Sequence, residues 1–415
     1  MNIVYSTLVV TVWFMSTFFI VLMLLILLNK KDKMHKYVSV PGKLPFISVI
    51  LPAYNEEEGI LPALESLTVL DYPRDLYEII IINDGSTDKT REYIQDFVAG
   101  HEQVSLRFID RCDNHGKSYS LNEGIRHARG ELVACMDADS IVKPDIFLKT
   151  VGYFSDPKTG SVSVKVNVRN ASKLLEKIID IEYAVGLSIS LKILSMLGAL
   201  HVTPGPFSMY RKTILDGIGG FDESNITEDL EIAFRLQKHG YKLFFCLSTS
   251  VSTIVPSDMK SLYKQRRRWY SGALMTVWQH KDVILKRRLG FFGLFIPYSY
   301  SLIFLGMILF LYSIFLTIRR FALGIQYWSL INFDLSHYEF VLNMDPLSID
   351  IFSTLAVSMI ITTLILTKSS INTIKRRVRD NVYGVIGFTF FFIFYQLFWI
   401  NSLYNVITNR EIKWR

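Results

Sequence analysis

Apolar residues in this chain gather into blocks rather than spreading evenly. Ile3 to Leu28 carries no charged side chain and is long enough to cross a bilayer. Three more blocks follow late in the chain: Leu289 to Ile318, Ile349 to Thr367 (interrupted only by Asp350) and Val382 to Thr408. The first of these is longer than one crossing needs, and Pro297 is expected to divide it into a surface-lying lead-in and a spanning helix. Four spans are therefore predicted, one before and three after a polar stretch.

Between about residues 45 and 285 the pattern changes to short apolar runs alternating with helical periodicity. Strands are predicted at 47–51, 78–82, 104–109 and 132–136, with helices at 56–67, 88–98 and 118–129 between them. Repeated strand–helix–strand units imply an α/β domain built on a mostly parallel sheet covered on both faces. Ligands of such sheets bind beyond the carboxyl ends of the strands. That rule picks out Pro52-Ala53-Tyr54-Asn55-Glu56, Asn83-Asp84-Gly85-Ser86 and Asp137-Ala138-Asp139. The expected organisation is an N-terminal transmembrane helix over 1–30, a soluble domain over 45–285, and an interfacial segment with three further spans over 289–415.

Lys and Arg beside the spans set orientation. Lys30, Lys31, Lys33 and Lys36 follow the first span, Lys286, Arg287 and Arg288 precede the second, and Lys368, Lys375, Arg376, Arg377 and Arg379 separate the last two. All face the cytoplasm if the first span runs inward, which places the large domain there too. The 319–348 loop, with Arg319 and Arg320 offset by Asp334, Glu339 and Asp345, would lie outside. Arg410, Lys413 and Arg415 would also end outside, against the rule. A cleaved signal peptide is the rival for the first block, but a basic start, a shorter apolar run and a small-residue cleavage site are all missing, so a retained anchor is expected.

Half the residues are hydrophobic, and the mean hydropathy is positive, which argues against a purely soluble protein. The net charge of +7 reflects the basic residues that hug the spans, and no nucleic-acid-binding signature is present. Cys112, Cys135 and Cys246 show no paired metal spacing and fit reduced thiols.

Several strings carry candidate chemistry, each beside an ordinary reading. Asp137-Ala138-Asp139 offers two carboxylates at one strand end, where hard oxygen ligands suit Mg²⁺ or Mn²⁺ bridging to phosphates; alone it is also a solvated turn. Asp84 sits in a good Asp-Gly-Ser turn, with Ser86-Thr87-Asp88 fit to cap the next helix, and a nucleotide contact is compatible with that role. Asn114-His115-Gly116-Lys117 brings a glycine, a helix start and an ammonium together, which favours an anion such as diphosphate. Thr227-Glu228-Asp229 reads as a helix start or as a site where Asp229 serves as general base. Gln265-Arg266-Arg267-Arg268-Trp269 is either a membrane-flanking basic patch with an interfacial tryptophan, or a place where Arg268 neutralises a leaving diphosphate and Trp269 stacks on a sugar. Arg266 and Arg267 are expected to face lipid headgroups.

Taken together, Asp84, Asp137-x-Asp139, Thr227-Glu228-Asp229 and Gln265-x-x-Arg268-Trp269 resemble, in that order, the signature of the processive, inverting family 2 glycosyltransferases of membranes. The resemblance covers about residues 45–275. It implies a GT-A (Rossmann-like) fold, a UDP-sugar donor and a divalent cation. By the same resemblance Glu56 and Asp84 go to the nucleotide, Lys117 to the diphosphate, and Asp137 and Asp139 to nucleotide and metal, with Asp139 the metal ligand. Asp229 becomes the base, Gln265, Arg268 and Trp269 shape the acceptor and leaving-group end, and Tyr54 and Glu228 join the substrate-binding set. Many members carry two aspartates where this chain has Asn83-Asp84. The context Ile226 to Leu230, with Gly240-Tyr241 beyond, looks closer to poly-N-acetylglucosamine synthases than to hyaluronan synthases. The product implied is a growing β-linked polysaccharide. The nearest alternative is a single sugar added to a lipid, as in ceramide-glucosyltransferase-like or polyprenyl-linked enzymes; four spans are few for a private polymer channel, which favours either that reading, an accessory membrane subunit or self-assembly. A catalytically dead scaffold is the third reading, and the intact acidic motifs speak against it.

Overall fold

The computed structural model describes residues 3–40, 42–101, 103–330, 351–374 and 376–408. Asp334, Glu339, Asp345, Asp350, Lys375, Arg410, Lys413 and Arg415, with the loop from 331 and the start of the third block at Ile349, lie outside the described residues.

An eight-stranded sheet organises the polar stretch: β1 (Ile47–Ala53), β2 (Tyr77–Asp84), β3 (Leu106–Arg111), β4 (Leu132–Met136), β5 (Ile141–Val142), β6 (Thr159–Val168), β7 (Phe207–Arg211) and β8 (Lys242–Thr253). Their order across the sheet is β3-β2-β1-β4-β7-β6-β8-β5. The half β3-β2-β1-β4 is parallel. The other half departs from the expected mostly parallel sheet: β7 is antiparallel to both β4 and β6, β8 is parallel to β6, and β5 is an antiparallel edge. Alternation along a strand reports that it is paired, not in which direction its neighbour runs.

Alternate residues of β1 and β2 feed opposite faces, as pleating requires. Ile50, Ile80 and Ile82 join one core with Leu121 and Ile125, while Val49, Leu51, Ile79 and Ile81 join the other with Ala63, Leu64, Ile94 and Phe97. The covering helices are α1 (Ile3–Asn29, ahead of the sheet), α2 (Ile60–Thr68), α3 (Thr90–Gly100) and α4 (Lys117–His127) in chain order. α2 starts four residues later than expected because the preceding backbone is used otherwise. The N–H groups of Asn55, Glu56 and Glu57 donate to Ser86 Oγ (3.1 Å), Thr90 Oγ1 (2.8 Å) and Asp88 Oδ2 (3.2 Å). Those bonds sew the loop after β1 to the loop after β2, with Asn55 at a positive φ of 54°.

Beyond the parallel half come α5 (Leu174–Glu182), which widens into a π-helix over Tyr183–Ser190, then α6 (Glu228–Lys238) and α7 (Met259–Gln279). Asp258 caps α7, accepting from the N–H groups of Lys260 and Ser261. Next are α8 (Gly290–Leu330), α9 (Ile351–Thr373) and α10 (Val382–Ile407). α1, α8 and α9 are each long and apolar enough to cross a membrane, and α10 joins them if its two halves, bent by 46°, form one span. α8 does not divide at Pro297; it is one 41-residue helix, roughly 60 Å long at 1.5 Å per residue. Its first turns dock on the soluble domain, where Phe292 meets Phe234 edge-on at 5.2 Å. α1 is tied to α9 by the Trp13 Nε1–H bond to Ser358 Oγ (3.0 Å). α10 is tied to α7 by Tyr263 donating to Asn401 (2.6 Å) and by Tyr270 stacked on Trp399 at 4.2 Å.

Candidate active site

The parallel register brings the ends of β1, β2 and β4 to one edge of the sheet. A cavity of about 190 Å³ opens there, and Tyr54, Glu56, Lys117, Asp137, Asp139, Glu228, Asp229, Gln265, Arg268 and Trp269 all line it. Residues 175 positions apart in sequence, Tyr54 and Asp229, thus share one concave surface. Asp84 is the exception. It is buried (2% exposed) and lies behind the cavity, accepting from the N–H groups of His115 (3.1 Å) and Gly116 (2.8 Å) and pairing with Arg111 (3.2 Å). Its observed work is to fix the loop that presents Lys117.

Lys117 opens α4 and reaches into the centre of the acids. Its Nζ lies 2.6 Å from Asp137 Oδ1 and 2.6 Å from Glu228 Oε1. Burial would lower its pKa, but the two carboxylates outweigh burial and hold the ammonium above the usual lysine range. Burial likewise works to raise the Glu228 carboxyl, and Lys117 and Arg268 outweigh it, so Glu228 stays below its usual range. Space here is tight: a Cβ added at Gly205 would meet Lys117 Nζ at 2.9 Å and Asp137 Oδ2 at 3.1 Å.

Asp229 behaves in the opposite way. Burial, and then the adjoining Glu228 carboxylate, push it up to about 7 against the opposing charges of Lys117 and Arg268. Its backbone carbonyl accepts from Thr203 N–H (3.0 Å) and Thr203 Oγ1 (2.8 Å), which anchors the first turn of α6. Two adjacent carboxylates thus carry divergent proton affinities, the arrangement from which separate roles in proton transfer follow. Thr227 occupies the position before α6, yet its side chain makes no capping bond. Its hydroxyl donates to Asn225 Oδ1 (3.1 Å), and it packs so closely on α7 that a Cβ at Gly272 would meet Thr227 Oγ1 at 2.3 Å.

Asp137 and Asp139 both follow the end of β4. Burial and the Asp137 charge raise Asp139, while hydroxyls of Ser140 (3.1 Å) and Thr253 (3.2 Å) donate to its Oδ1. Among the described residues no group of three or more His, Cys, Asp or Glu side chains is placed to hold a metal by itself. A pair of carboxylates fits a Mg²⁺- or Mn²⁺-like ion that completes its shell with substrate phosphates and water.

The Gln265–Trp269 string divides along α7. Gln265, Arg268 and Trp269 face the cavity, and Gln265 Oε1 is buried with no hydrogen-bond partner among the described residues. Contrary to the expectation from the sequence, Arg266 does not face lipid headgroups: it is fully buried, paired with Glu182 at 2.7 Å and laid over the Trp269 ring at 4.3 Å. Trp269 is also stacked on Tyr183 at 6.5 Å. Arg267 is half-buried against the Tyr263 ring at 5.9 Å. Within little more than one turn, the helix carries a cavity-facing side and a core-facing side, which a run of three identical residues conceals.

The profile described as "Glycosyltransferase like family 2" matches residues 45–272, more than half the chain. The chain belongs to glycosyltransferase family 2. The match spans the whole cavity, from Pro52 to Trp269. Curated relatives point the same way: a poly-beta-1,6-N-acetyl-D-glucosamine synthase of Staphylococcus epidermidis is 37% identical over 227 residues, covering 54% of each chain. The synthase of Staphylococcus aureus strain COL is 35% identical over 246 residues, covering 59% of this chain and 57% of that one. The chain thus spans about half the length of the curated relatives it matches. Among solved structures, a mannosyltransferase from Pyrobaculum calidifontis, in complex with GDP-Man and Mn²⁺, matches 98% of this chain and all of its own at 17% identity and a TM-score of 0.62. At that identity the likeness shows the fold, a GT-A-like mixed sheet flanked by apolar helices.

Sequence reasoning missed Tyr183, Gly205, Pro206, Thr253 and Ile254, which also line the cavity. Thr253 ends β8, so the strand-end rule would have found it had β8 been read as a strand. Thr203-Pro204-Gly205-Pro206 is a visible turn signal. Tyr183 gives no local signal, because only the path of α5 brings it there.

Proposed function

We propose that this chain is a membrane-embedded, inverting glycosyltransferase that moves a sugar from a UDP-sugar onto a growing β-linked polysaccharide, with N-acetylglucosamine the first candidate. The observation that carries this reading is that Asp229, Lys117, the Asp137–Asp139 pair, Gln265, Arg268 and Trp269 line one cavity. In this reading Asp229 takes the proton of the acceptor hydroxyl as that oxygen attacks the anomeric carbon. The bond to the diphosphate breaks on the opposite face in the same displacement, which inverts the anomeric centre. Lys117 and Arg268 bear positive charge toward the departing diphosphate. Asp137 and Asp139 would hold Mg²⁺ or Mn²⁺, which neutralises phosphate charge when bound. Tyr54 and Glu56 belong to the nucleotide end, and Trp269 offers an aromatic face to the acceptor sugar.

The basic residues beside α1, α8 and α9 support a cytoplasmic soluble domain carried by several spans. The relatives, named as poly-N-acetylglucosamine synthases, support the polymer over a single glycolipid. A homo-oligomer or an accessory membrane subunit would enlarge a small set of spans. The test is incubation of the protein, purified and reconstituted in membranes, with radiolabelled UDP-sugars, each with and without Mn²⁺, followed by product sizing. A high polymer from one donor is expected. A single labelled lipid would replace the polymer with a lipid acceptor, and no incorporation from any UDP-sugar would overturn the reading.

A further inference from the structure

A second cavity, of about 270 Å³, lies away from the catalytic one, where α5 meets the segment joining α9 to α10. Its floor is apolar, formed by Ile181, Ala184 and Ile371, and its mouth carries Lys177, Arg376 and Arg377. Arg376 is held in place by Asp180 at 2.7 Å. Asp180 also accepts from Asn381 Nδ2 (3.4 Å), and the same Asn381 nitrogen donates to the Lys177 carbonyl (3.0 Å). The acid is therefore committed to building the pocket wall rather than to neutralising Lys177 or Arg377.

More positive charge collects beside it. Lys165 of β6 and Lys143 follow the same row of the sheet, since Lys165 is paired with Ser250 and Lys143 N–H donates to the Ser250 carbonyl (3.2 Å). Burial, then Lys143 and Arg376, push the Lys165 ammonium down to about 8. Asp180 pairs with Arg376, and the remaining like charges crowded around that one carboxylate mark a place where an anion would be stabilising. The location supplies the source. α9 ends at Thr373, whose carbonyl bonds His35 just after α1 (2.5 Å), and α10 begins at Val382. Three apolar helices thus end or begin around this pocket, which falls at the headgroup level when these helices are read as spans.

We propose that this pocket binds the headgroup phosphate of an anionic phospholipid, with Lys177, Arg376 and Arg377 on the phosphate and an acyl chain leaving over Ile371 and Ala184. The site rests on the reading of these helices as membrane spans, and it would tie the soluble domain to the bilayer surface through α5, the helix that leads to Tyr183.

The full chain, reconstituted in nanodiscs of equal parts phosphatidylglycerol and phosphatidylcholine and then extracted, would be examined by native mass spectrometry for lipids that stay bound. Each basic contact with an anionic surface is worth roughly fivefold in affinity, so Lys177→Gln with Arg377→Gln should weaken phosphatidylglycerol retention roughly 25-fold. Neither residue lines the catalytic cavity. Preferential retention of phosphatidylglycerol by the unaltered chain, lost in the double variant, supports the site. Equal retention of both lipids, or an undiminished phosphatidylglycerol count in the variant, overturns it. Retention of neither lipid overturns the site, while incorporation of the chain into the nanodiscs reads membrane insertion separately. Inorganic phosphate that raises the thermal midpoint of the detergent-purified chain as much as phosphatidylglycerol does would overturn the lipid assignment in favour of a free anion. If the double variant fails to fold, Arg377→Gln alone, on an exposed side chain, replaces it; a roughly fivefold loss of phosphatidylglycerol retention is expected, and an undiminished count overturns the site.

Discussion

Asp229 and Glu228 are consecutive carboxylates with opposite protonation behaviour, and the difference is environmental. Glu228 has Lys117 at 2.6 Å, while Asp229 is raised to about 7 by burial and by Glu228 itself. As a base Asp229 must be ionised, so kcat/KM should rise with pH through about 7 and level off above it. Glu228→Gln removes the charge that raises Asp229, so the acidic limb of the profile should move to lower pH; a limb that stays in place would mean another group controls it. Asp229→Asn should lower turnover by about 10²–10⁴-fold or more while leaving UDP binding, measured by calorimetry, within a few-fold. Retained turnover would remove the base role.

At the scale of elements, the site depends on how closely α7 approaches α6. Gly272 permits that approach, since any side chain there would collide with Thr227. Gly272→Ala should cost about 1–3 kcal/mol of stability and reduce activity, because displacing α7 moves Arg268 and Trp269 relative to Asp229. Thermal denaturation and UDP binding would read the two effects separately. The buried Arg266–Glu182 pair joins α7 to α5 beneath Trp269. Arg266→Ala leaves Glu182 without its cation and should cost roughly 3 kcal/mol, whereas Arg267→Ala, on a half-buried side chain, should cost under about 1 kcal/mol. Equal losses in the two variants would return the arginines to a common headgroup-facing role.

For the whole molecule, the sidedness of the soluble domain is the property that matters most, because it decides which compartment supplies the donor. Cys112 is exposed, whereas Cys135 and Cys246 are buried. A membrane-impermeant maleimide should therefore label Cys112 in inverted vesicles and leave it untouched in sealed, right-side-out cells, with Cys112→Ser abolishing the signal. Labelling from outside would reverse the orientation read from the basic flanks.

The strings of local chemistry were legible in the chain. Apolar blocks predicted the long helices, and strand ends followed by Tyr54-Asn55-Glu56 and Asp137-Ala138-Asp139 predicted the edge where the cavity opens, because a buried strand and a polar ligand-facing turn have distinct local patterns. The sequence by itself determined which side chains could do acid–base and anion chemistry, and the family they belong to. What it could not determine was everything set by contacts between distant segments. The antiparallel direction of β7, the continuity of α8 through Pro297, the withdrawal of Asp84 behind the cavity and the burial of Arg266 beside the cavity-facing Arg268 are of this kind. So is the proton affinity of Asp229, which arises from burial and the Glu228 charge against the opposing Lys117 ammonium brought in from another helix. Residue type and spacing encode local preference; field, burial and direction exist only once the chain has folded on itself.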